Sequence, residues 1–562
     1  MKDIITEIKN QITQAISKSV ESISDNALKD IEIEIETPKE KEHGDFSSNI
    51  AMKLARVLKT NPRAIAQKIT DGIETDGTYI DKIEIAGAGF INFYLSPQWL
   101  YDGLMLAYNL KGDFGKTNIG NGKKVMVEFV SANPTGPMHM GNARGGALGD
   151  SLASVLEWTG YNVTREFYIN DAGAQIEKFA KSLEARYIQH IKGEDAIEFP
   201  EDGYQGNDIK VHAKNFADIY GDKYINADES ERRQALVDYA LPINIAKLKT
   251  DLERYRIYYD VWFNESNIHK NGEVKETIEL LKKSGLTYEK DNALWLKTTE
   301  FGSEKDEVLI RANGIPTYFA VDIAYHRNKF EVRGFDKVIN VWGADHHGHV
   351  ARMKGAMDAI GIDSSKLEIV IMQLVRLIKD GDVARMSKRT GEMITLSDLI
   401  DEIGVDAARF FFNMRQAGSH LEFDMDLAIK QSSDNPVFYV QYAHARISSI
   451  LKNLNDENIS TDIKNITKDM LVLLTEQPEK DLIAKINMLP SEIASSARLL
   501  EPSKLTRYVL DLAALFHSFY NSCRVKCDDE NLMRARIILV ECTKITIKNV
   551  LDILKISAPD KM

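Results

Sequence analysis

The feature that most constrains the fold is a run of mainly apolar residues, KKVMVEFV (123–130), which two nearby prolines bring to an end. Pro134 and Pro137 lack the backbone N–H that a sheet ladder needs, so a strand through this run stops before them. A nearly continuous apolar strand is typical of a parallel sheet with both faces buried. A helical pattern follows at 142–160 and ends at a glycine, so the segment predicts a strand–turn–helix unit.

The same alternation of strand and helix recurs later in the chain. Strand patterns occupy 161–169, 336–343 and 367–378, and a helical pattern occupies 349–361. This alternation predicts an α/β domain with an open, Rossmann-type parallel sheet, because parallel strands need long crossover connections. Ligands of such sheets bind outside the carboxyl ends of the strands, and we expect the site there.

We predict three domains, because 562 residues exceed what one hydrophobic core usually serves. A small α+β domain is predicted for 1–112, with an opening amphipathic helix and an alternating strand, IEIEIET (31–37). An α/β domain with this Rossmann-type sheet is predicted for 113–430, with a largely helical insertion at 171–300. Helix follows helix afterwards, which predicts an all-α domain for 431–562.

Composition argues against several classes of protein. A net charge of −13 is not typical of a surface coated in basic residues for nonspecific nucleic-acid binding. The sequence contains no run of about 20 apolar residues that could span a membrane, and the charged N-terminus is not a signal peptide. The three cysteines lack the paired spacing of a zinc site, and reduced cysteines suit the cytoplasm, where we expect the protein.

The turn after the first apolar strand, NPTGPMHMGNARGG (133–146), is the first candidate site. Its glycines permit close backbone approach at the start of a helix, where unpaired N–H groups and the helix dipole favour an anion such as phosphate. His139 could donate a hydrogen bond to a phosphate as charge develops there. The alternative is that His139 only caps the helix. The turn matches neither GxxxxGK[ST] nor GxGxxG.

A basic loop, VARMSKRTGEM (383–393), is the second candidate. Arg385, Lys388 and Arg389 lie among Ser, Thr and Gly beyond a strand, and such a loop could clamp a polyphosphate. The alternative is an ordinary basic surface loop.

The third candidate is VWGADHHGH (341–349). Its Asp and His residues are potential metal ligands, and the letters DHH resemble a motif of metal-dependent phosphoesterases. The sequence lacks the further Asp-rich clusters that such an enzyme would need. The alternative is that Gly343 and Asp345 approach a ribose at the end of a strand.

Together these three stretches resemble the signatures of class I aminoacyl-tRNA synthetases. HMGN stands where the HIGH motif belongs, RMSKR where KMSKS belongs, and WGAD lies between them. Asn142 replaces the second His of HIGH, but Asn can still donate to a phosphate; Arg389 replaces the last Ser of KMSKS. Over essentially the whole chain the sequence is similar to the arginyl-tRNA synthetase family, on the segments EHGDFSSNIAMKLA, VEFVSANPTGPMHMGNARG, VWFNESN, TYFAVDIAYH, VWGADHHGH and ISAPDKM.

The resemblance implies a two-step reaction. The carboxylate of arginine attacks the α-phosphate of ATP, giving arginyl-adenylate and pyrophosphate, and the 2′-hydroxyl of the terminal ribose of tRNA(Arg) then takes the arginyl group. Mg²⁺ would accompany the ATP, and no tightly bound protein metal is expected. The implied catalytic residues are His139, Asn142 and Lys388. The implied ATP-binding residues are Pro137, His139, Gly141, Asn142, Gly343, Asp345, His346, Arg385, Met386, Ser387 and Lys388.

The resemblance also implies an arginine pocket. A guanidinium offers five donors in a planar fork, so it needs carboxylate partners in a dry site, and Glu265 and Asp322 would supply them. Tyr318 lies four residues before Asp322, so both would share one face of a helix. The alternative for Asp322 is an ordinary exposed helical acid. The implied arginine-binding residues are Glu128, Ser131, Asn133, Glu265, Tyr318, Asp322 and Gln373.

For tRNA the resemblance implies an anticodon-binding helical domain and an N-terminal domain that reaches the tRNA elbow. Tyr439, Tyr442, His444 and Arg446 are the candidate contacts, because unstacked bases favour aromatic and guanidinium partners. The alternative is that some of them are core residues of a helix. The family is further expected to be monomeric and to activate arginine only with tRNA bound. Another class I synthetase, a DHH phosphoesterase and a noncatalytic tRNA-binding relative are the other functions considered.

Overall fold

The computed structural model of the chain describes residues 3–24, 28–29, 31–383, 394–464 and 466–562. Within them a three-stranded antiparallel sheet, a five-stranded parallel sheet and a C-terminal set of helices follow one another. This order confirms the predicted fold class, an α+β unit, a Rossmann-type α/β unit and an all-α unit.

The N-terminal unit packs helices against a sheet ordered β1-β3-β2, antiparallel throughout. The opening helix is amphipathic as predicted, because its isoleucines recur every three or four residues and are buried. The elements are α1 Ile4–Ile23, β1 Phe46–Ser48, α2 Ile50–Leu58, α3 Pro62–Asp71, β2 Ile80–Ala86, β3 Phe90–Leu95 and α4 Gln98–Leu110.

The predicted strand at 31–37 is wrong. The segment has the expected alternation of half-buried Ile and exposed Glu, but it forms only one bridge, between Glu36 and Ser47. Side chains bind the backbone instead: the Ser48 hydroxyl donates to the carbonyl of Glu34 at 2.8 Å. Alternating Ile and Glu residues indicate which side chains face the core, but they do not show that the backbone pairs with another strand. An extended segment beside the three-residue strand β1 therefore has the same pattern without forming a strand.

The α/β unit is built on a sheet of order β11-β10-β4-β5-β6, in which every pair is parallel. The chain begins in the middle at β4, moves outward through α5 to β5, and later fills the other side with β10 and β11. Its elements up to the second half are β4 Lys124–Glu128, α5 Met140–Trp158, β5 Asn162–Ile169, α6 Ala174–Lys192, α7 Asn207–Tyr220, α8 Glu229–Arg254, β6 Val261–Asn264, α9 Glu265–Lys270 and α10 Glu273–Lys283. The remainder are β7 Thr287–Lys290, β8 Ala293–Leu296, β9 Glu307–Ile310, α11 Tyr318–Arg327, β10 Lys337–Gly343, α12 His349–Ala359 and β11 Leu367–Met372.

The segment 171–300 is largely helical, as predicted, but it also contains strands that the sequence analysis did not predict. Its three long helices α6, α7 and α8 end at Arg254, and β6 then joins the edge of the main sheet beside β5. β7, β8 and β9 form a separate antiparallel sheet. Strands of four residues carry too few positions for their period to be recognised in the sequence.

The predicted strand at 367–378 is two strands in different sheets. β11 belongs to the parallel sheet, whereas β12, Val375–Lys379, pairs with β13, Asp382–Val383, and β14, Leu421–Asp424. The chain turns out of the first sheet at Gln373, whose N–H donates to the carbonyl of Ala417 at 2.9 Å. In this mainly apolar run the polar Gln373 is the only local sign of the break. The helices of this region are α13 Leu396–Ile403, α14 Val405–Asn413 and α15 Met425–Ile429.

Helix α5 lies unusually close to the sheet. A Cβ at Gly149 would come within 2.2 Å of the Phe129 ring, so only glycine fits at this contact. Next to it the buried carboxylate of Asp150 accepts from Arg165 of β5 at 3.0 Å and from Arg409 of α14 at 2.5 Å. These contacts fix the helix that begins at the predicted phosphate-binding turn.

The C-terminal unit is all-α in the part of 431–562 that the structure describes, as predicted. Its last residues return to the α/β unit, where Arg409 donates to the carbonyl of Leu554 at 2.7 Å. The helices are α16 Pro436–Asp456, α17 Lys468–Leu471, α18 Gln477–Asn487, α19 Leu489–Leu499, α20 Ser503–Ser522 and α21 Glu530–Ile553.

We expect Gly149→Ala to lower the free energy of unfolding by about 1–3 kcal/mol, because the new methyl group overpacks against Phe129. Gly145→Ala is the matched control on the same helix, since its Cβ would meet Met372 at an ordinary 3.6 Å. The control should be neutral or stabilising by up to about 1 kcal/mol through helix propensity. Calorimetric melting of both variants tests this, and equal melting temperatures would contradict it.

Candidate active site

The predicted site segments begin at the carboxyl ends of the strands of one sheet. β4 ends at Glu128, β5 at Ile169, β6 at Asn264, β10 at Gly343 and β11 at Met372. Because all five strands are parallel, these ends share one edge. The sheet changes direction of progression between β4 and β10, and such a switch point opens a crevice for a nucleotide.

His139 is the N-cap of α5, which was the alternative to its functional role. Its Nδ1 accepts from the N–H of Gly141 at 3.1 Å, and the Asn142 side chain accepts from the N–H of His139 at 3.0 Å. Because Nδ1 is the acceptor, the neutral imidazole carries its proton on Nε2. The cap therefore produces a histidine with a donor on its outer nitrogen, and the two interpretations are compatible.

Gly141 is required by this cap. A Cβ at position 141 would come within 2.9 Å of the His139 ring. The side chain of Asn142 uses its oxygen in the cap, so its NH₂ group is the donor that can face a phosphate. The sequence HMGN thus specifies one local structure at the helix N-terminus.

The second half of the predicted phosphate site lies outside the described residues. Arg385, Met386, Ser387, Lys388 and Arg389 all fall there. The chain resumes beside the first half, because Thr395 forms an antiparallel bridge with His139 and the N–H of Leu396 donates to the carbonyl of Met138 at 2.9 Å.

The residues after β10 form the opposite side of the crevice. A Cβ at Gly343 would lie 2.5 Å from Oδ1 of Asp345, so the glycine makes room for this carboxylate. Asp345 and His346 are exposed neighbours, with 3.5 Å between the carboxylate and Nε2. Both are accessible to a ligand in the crevice.

A strained turn follows β4. Val130 has φ of +68° and Ser131 has φ of +41°, a conformation that costs energy for a β-branched residue. The Ser131 hydroxyl donates to Glu128 at 3.0 Å and accepts from the N–H of Tyr168 at 3.1 Å. Glu128 is itself buried and paired with the fully buried Lys329 at 2.5 Å. Glu128 and Ser131 therefore brace the turn, while Asn133 beyond it is exposed.

Glu265 begins α9 directly after β6 and is buried. Burial, together with the negative charges of Asp322 and Asp171, raises the pKa of this carboxyl to about 7. Its amide neighbour Asn170 donates to Glu265 at 3.2 Å and to the carbonyl of Ala172 at 2.7 Å. A carboxylate with so little solvation is a strong site for a cation.

Tyr318 and Asp322 share α11, as their spacing predicts. The hydroxyl of Tyr318 accepts from the N–H of Ala174 at 2.6 Å, so Tyr318 also holds the start of α6. Asp322 is half-buried and bound to His349. A cavity of about 430 Å³ is lined by Glu265 and Tyr318, together with residues of α9 and of the segment before α11.

Gln373 is placed by a residue that the sequence analysis missed. Arg144 of α5 is fully buried and donates to the carbonyls of Gln373, Gln416 and Ser419 at 2.6, 3.0 and 2.9 Å. Desolvation lowers the pKa of its guanidinium to about 10. An arginine among the small residues of NARGG is the only sequence signal for this role.

The turn 133–146 is also supported by the insertion, which the sequence analysis did not predict. Asn244 of α8 donates to the carbonyl of Pro134 at 3.0 Å, and its Oδ1 lies 2.8 Å from Nε2 of the buried His212 on α7. The insertion is therefore part of the site rather than an appendage. Contacts across about a hundred residues leave no local pattern in the sequence.

The predicted tRNA contacts on α16 divide into two groups. Tyr442 is exposed, and the Arg446 guanidinium lies over its ring at 4.7 Å and over that of Tyr520 at 5.1 Å. Tyr439 is half-buried against His517. The prediction for His444 is wrong in placing it on an RNA-contacting surface: it is 2% exposed, and its Nδ1 lies 2.8 Å from the carbonyl of Pro559.

Three family descriptions match the chain. Residues 106–475 match the catalytic domain of class I tRNA synthetases (R), residues 6–95 the arginyl tRNA synthetase N terminal domain, and residues 440–562 the DALR anticodon binding domain. The chain belongs to the arginyl-tRNA synthetase family.

Relatives and solved structures agree with this family. A protein of Ruminiclostridium cellulolyticum named Arginine--tRNA ligase is 61% identical over 566 residues, covering 100% of both chains. A protein of Acetivibrio thermocellus with the same name is 56% identical, also over 100% of both. The solved Thermus thermophilus arginyl-tRNA synthetase has a TM-score of 0.78 at 21% identity, over 98% of this chain and 99% of its own, and supports the fold.

The histidines of 341–349 point to different partners. His346 lies beside Asp345 and His349 beside Asp322. Among the residues that the structure describes, no group of three His, Cys, Asp or Glu side chains could hold a metal ion. Over the same residues, no helix is long and apolar enough to cross a membrane.

The raised pKa of Glu265 predicts a pH-dependent effect on stability. Since the folded-state value of about 7 exceeds the ordinary 4.5, ionised Glu265 opposes folding, and this penalty grows as pH rises between those values. Glu265→Gln removes it, so we expect the ligand-free variant to melt above wild type at pH 8, by at most about 3 kcal/mol in stability, and much less so at pH 5. Exposed Glu194→Gln is the control. An equal change in melting temperature at both pH values would contradict the assignment.

Proposed function

We propose that this chain is an arginine–tRNA ligase. Its full-length similarity to the proteins named Arginine--tRNA ligase is the observation that carries the proposal. In the first step the carboxylate oxygen of arginine attacks the α-phosphate of ATP, and the bond to the β-phosphate breaks to release pyrophosphate. In the second step the 2′-hydroxyl of the terminal tRNA adenosine displaces AMP from the arginyl-adenylate. Neither step needs a covalent intermediate with the protein, so binding and charge stabilisation do the catalysis.

On the ATP side, His139 donates from Nε2 and Asn142 from its amide to phosphate oxygens, as the geometry of the cap supports. Gly141 and Pro137 keep the wall of the crevice close to the nucleotide. Gly343, Asp345 and His346 take the adenosine from the other side. Lys388, helped by Arg385 and Arg389, neutralises the β- and γ-phosphates, and Met386 and Ser387 complete the ATP-binding set. ATP enters as its magnesium complex, and the ion belongs to the substrate.

On the arginine side, Glu265 and Asp322 take the guanidinium, and Tyr318 forms a wall. Two carboxylates whose charges act on each other favour a planar cation that can satisfy both, whereas the compact ammonium of lysine leaves oxygens unpaired. Asn133 and Gln373 hold the α-amino and carboxylate ends. Glu128 and Ser131 act behind them, because Lys329 already neutralises Glu128.

For tRNA, the aromatic and guanidinium surface of Tyr439, Tyr442 and Arg446 offers stacking partners for unpaired bases of the anticodon loop. His444 supports this helix from within. The N-terminal unit contacts the tRNA elbow. We further propose that the protein acts as a monomer and in the cytoplasm, where tRNA is charged for translation.

Pyrophosphate exchange tests the function directly. We expect ³²P-labelled pyrophosphate to enter ATP only when arginine and tRNA are both present, because arginine activation in this family depends on bound tRNA. Each of the other amino acids, lysine above all, serves as a control with the same tRNA. Exchange with lysine, or exchange with arginine but no tRNA, would contradict the proposal.

His139→Asn separates the cap from the chemistry. Asn is a good N-cap and can replace Nδ1 as the acceptor, but it does not carry the Nε2 donor. We expect wild-type melting and a kcat for exchange about 100-fold or more below wild type, with little change in the KM for arginine. His139→Ala, which also loses the cap, should melt lower by about 1 kcal/mol in stability. Wild-type kcat in His139→Asn would leave His139 as a cap only.

A further inference from the structure

The carboxylate of Asp322 is held from behind by a chain of side chains. Its Oδ2 lies 3.2 Å from Nε2 of His349, at the start of α12. The Nδ1 of that ring accepts a short hydrogen bond from Nε of Arg352. Arg352 is in turn paired with Glu307 of β9 at 2.6 Å. The carboxylate on α11 is thus linked to α12 directly and to β9 through Arg352.

The direction of these hydrogen bonds is fixed by Arg352. A guanidinium can only donate, so Nδ1 of His349 is the acceptor and its proton is on Nε2. Nε2–H therefore donates to Asp322. In this tautomer the ring adds no full charge beside Asp322, and the charge of Arg352 is balanced by Glu307. The negative charge of Asp322 is left for a ligand.

The ring of His349 has little freedom to rotate. It is 8% exposed and lies against Trp342, with ring centroids 5.4 Å apart, and edge-on to Phe319 at 5.6 Å. The Arg352 guanidinium also lies over the Phe319 ring, at 5.5 Å. By contrast, His346 and His347 of the same segment are exposed.

The backbone of Asp322 is held as well. Nδ1 of the buried His326 lies 2.7 Å from the Asp322 carbonyl, and Nε2 of that ring lies 2.7 Å from the amide nitrogen of Asn340. With its backbone and Oδ2 both fixed, Asp322 can present Oδ1 in only one direction. Among the described residues, Oδ1 accepts no hydrogen bond.

We propose that His349, aligned by Arg352, is a positioning residue for Asp322 that sets the affinity for arginine and its discrimination from lysine. This inference rests on the proposed function, in which Asp322 binds the guanidinium. A planar fork demands carboxylate oxygens in a fixed plane, whereas a spherical ammonium tolerates a rotating carboxylate. A free Asp322 side chain would also lose rotamer entropy on binding.

The test compares His349→Phe with His349→Gln. Phe fills the aromatic pocket but has no donor, whereas the Gln amide can donate to Asp322 and accept from Arg352. For His349→Phe we expect the Kd of arginine by calorimetry, and its KM in tRNA-dependent exchange, to rise about tenfold or more. The KM for ATP should stay within about twofold, and the preference for arginine over lysine should fall. His349→Gln should restore most of the affinity, and Arg352→Met should act in the same direction as His349→Phe.

Asp322→Asn separates failure of this inference from failure of the proposed function. If Asp322→Asn leaves the Kd of arginine unchanged, Asp322 does not bind the guanidinium and the proposed pocket fails. If it weakens arginine while His349→Phe binds as tightly as wild type, only the positioning role fails. In the double variant we expect His349→Phe to add less than about twofold to the effect of Asp322→Asn. Full additivity, or an equal rise in the KM for ATP, would overturn the inference.

Discussion

The turn 133–146, which is proposed to bind ATP, leads into helix α5. Its position depends on one buried carboxylate further along that helix, Asp150. Asp150 lies between the guanidiniums of Arg165 and Arg409, and the second of these also binds the carbonyls of Tyr255 and Leu554. Helix α5, strand β5, the end of α8 and the end of α21 therefore meet at one point. Loss of one partner from a buried ion pair typically costs about 3–5 kcal/mol, because the remaining charges are left uncompensated. Asp150 and Arg409 thus fix the position of α5 relative to the insertion and to the C-terminal helices.

The edge of the sheet where the strands end contains backbone groups that have no hydrogen-bond partner within their own helix or strand. Helix α5 presents N–H groups there, and the turn at Val130 and Ser131, which follows β4, stores backbone strain. Glu128 and Lys329 neutralise each other beside this turn, and Ser131 donates to Glu128, so a buried ion pair helps to hold the strained backbone. These contacts hold the turn after β4 in place, which suits catalysis by positioning.

The sequence predicted what local chemistry determines and missed what distant contacts determine. The prolines and glycines after β4 locate the strand end and the cap, and the spacing of Tyr318 and Asp322 places both on α11. The short strand β6, the break between β11 and β12 at Gln373, and the burial of His444 under the C-terminal tail depend on partners far along the chain. The last histidine of DHHGH was considered as a metal ligand, yet its partner is Asp322, because α12 turns it toward α11.

The two carboxylates of the proposed arginine pocket differ in the way that they are prepared for a cation. Glu265 is buried, and its pKa is raised to about 7 by desolvation and by the charge of Asp322, so the empty pocket resists full ionisation. Asp322 is half-solvated and held by a neutral imidazole. A guanidinium placed between them relieves the repulsion and replaces the missing solvation of Glu265 at the same time. A ligand without positive charge can do neither, and an ammonium can satisfy fewer of the fixed oxygens. Selectivity for arginine then follows from the unfavourable state of the empty pocket as much as from the contacts in the filled one.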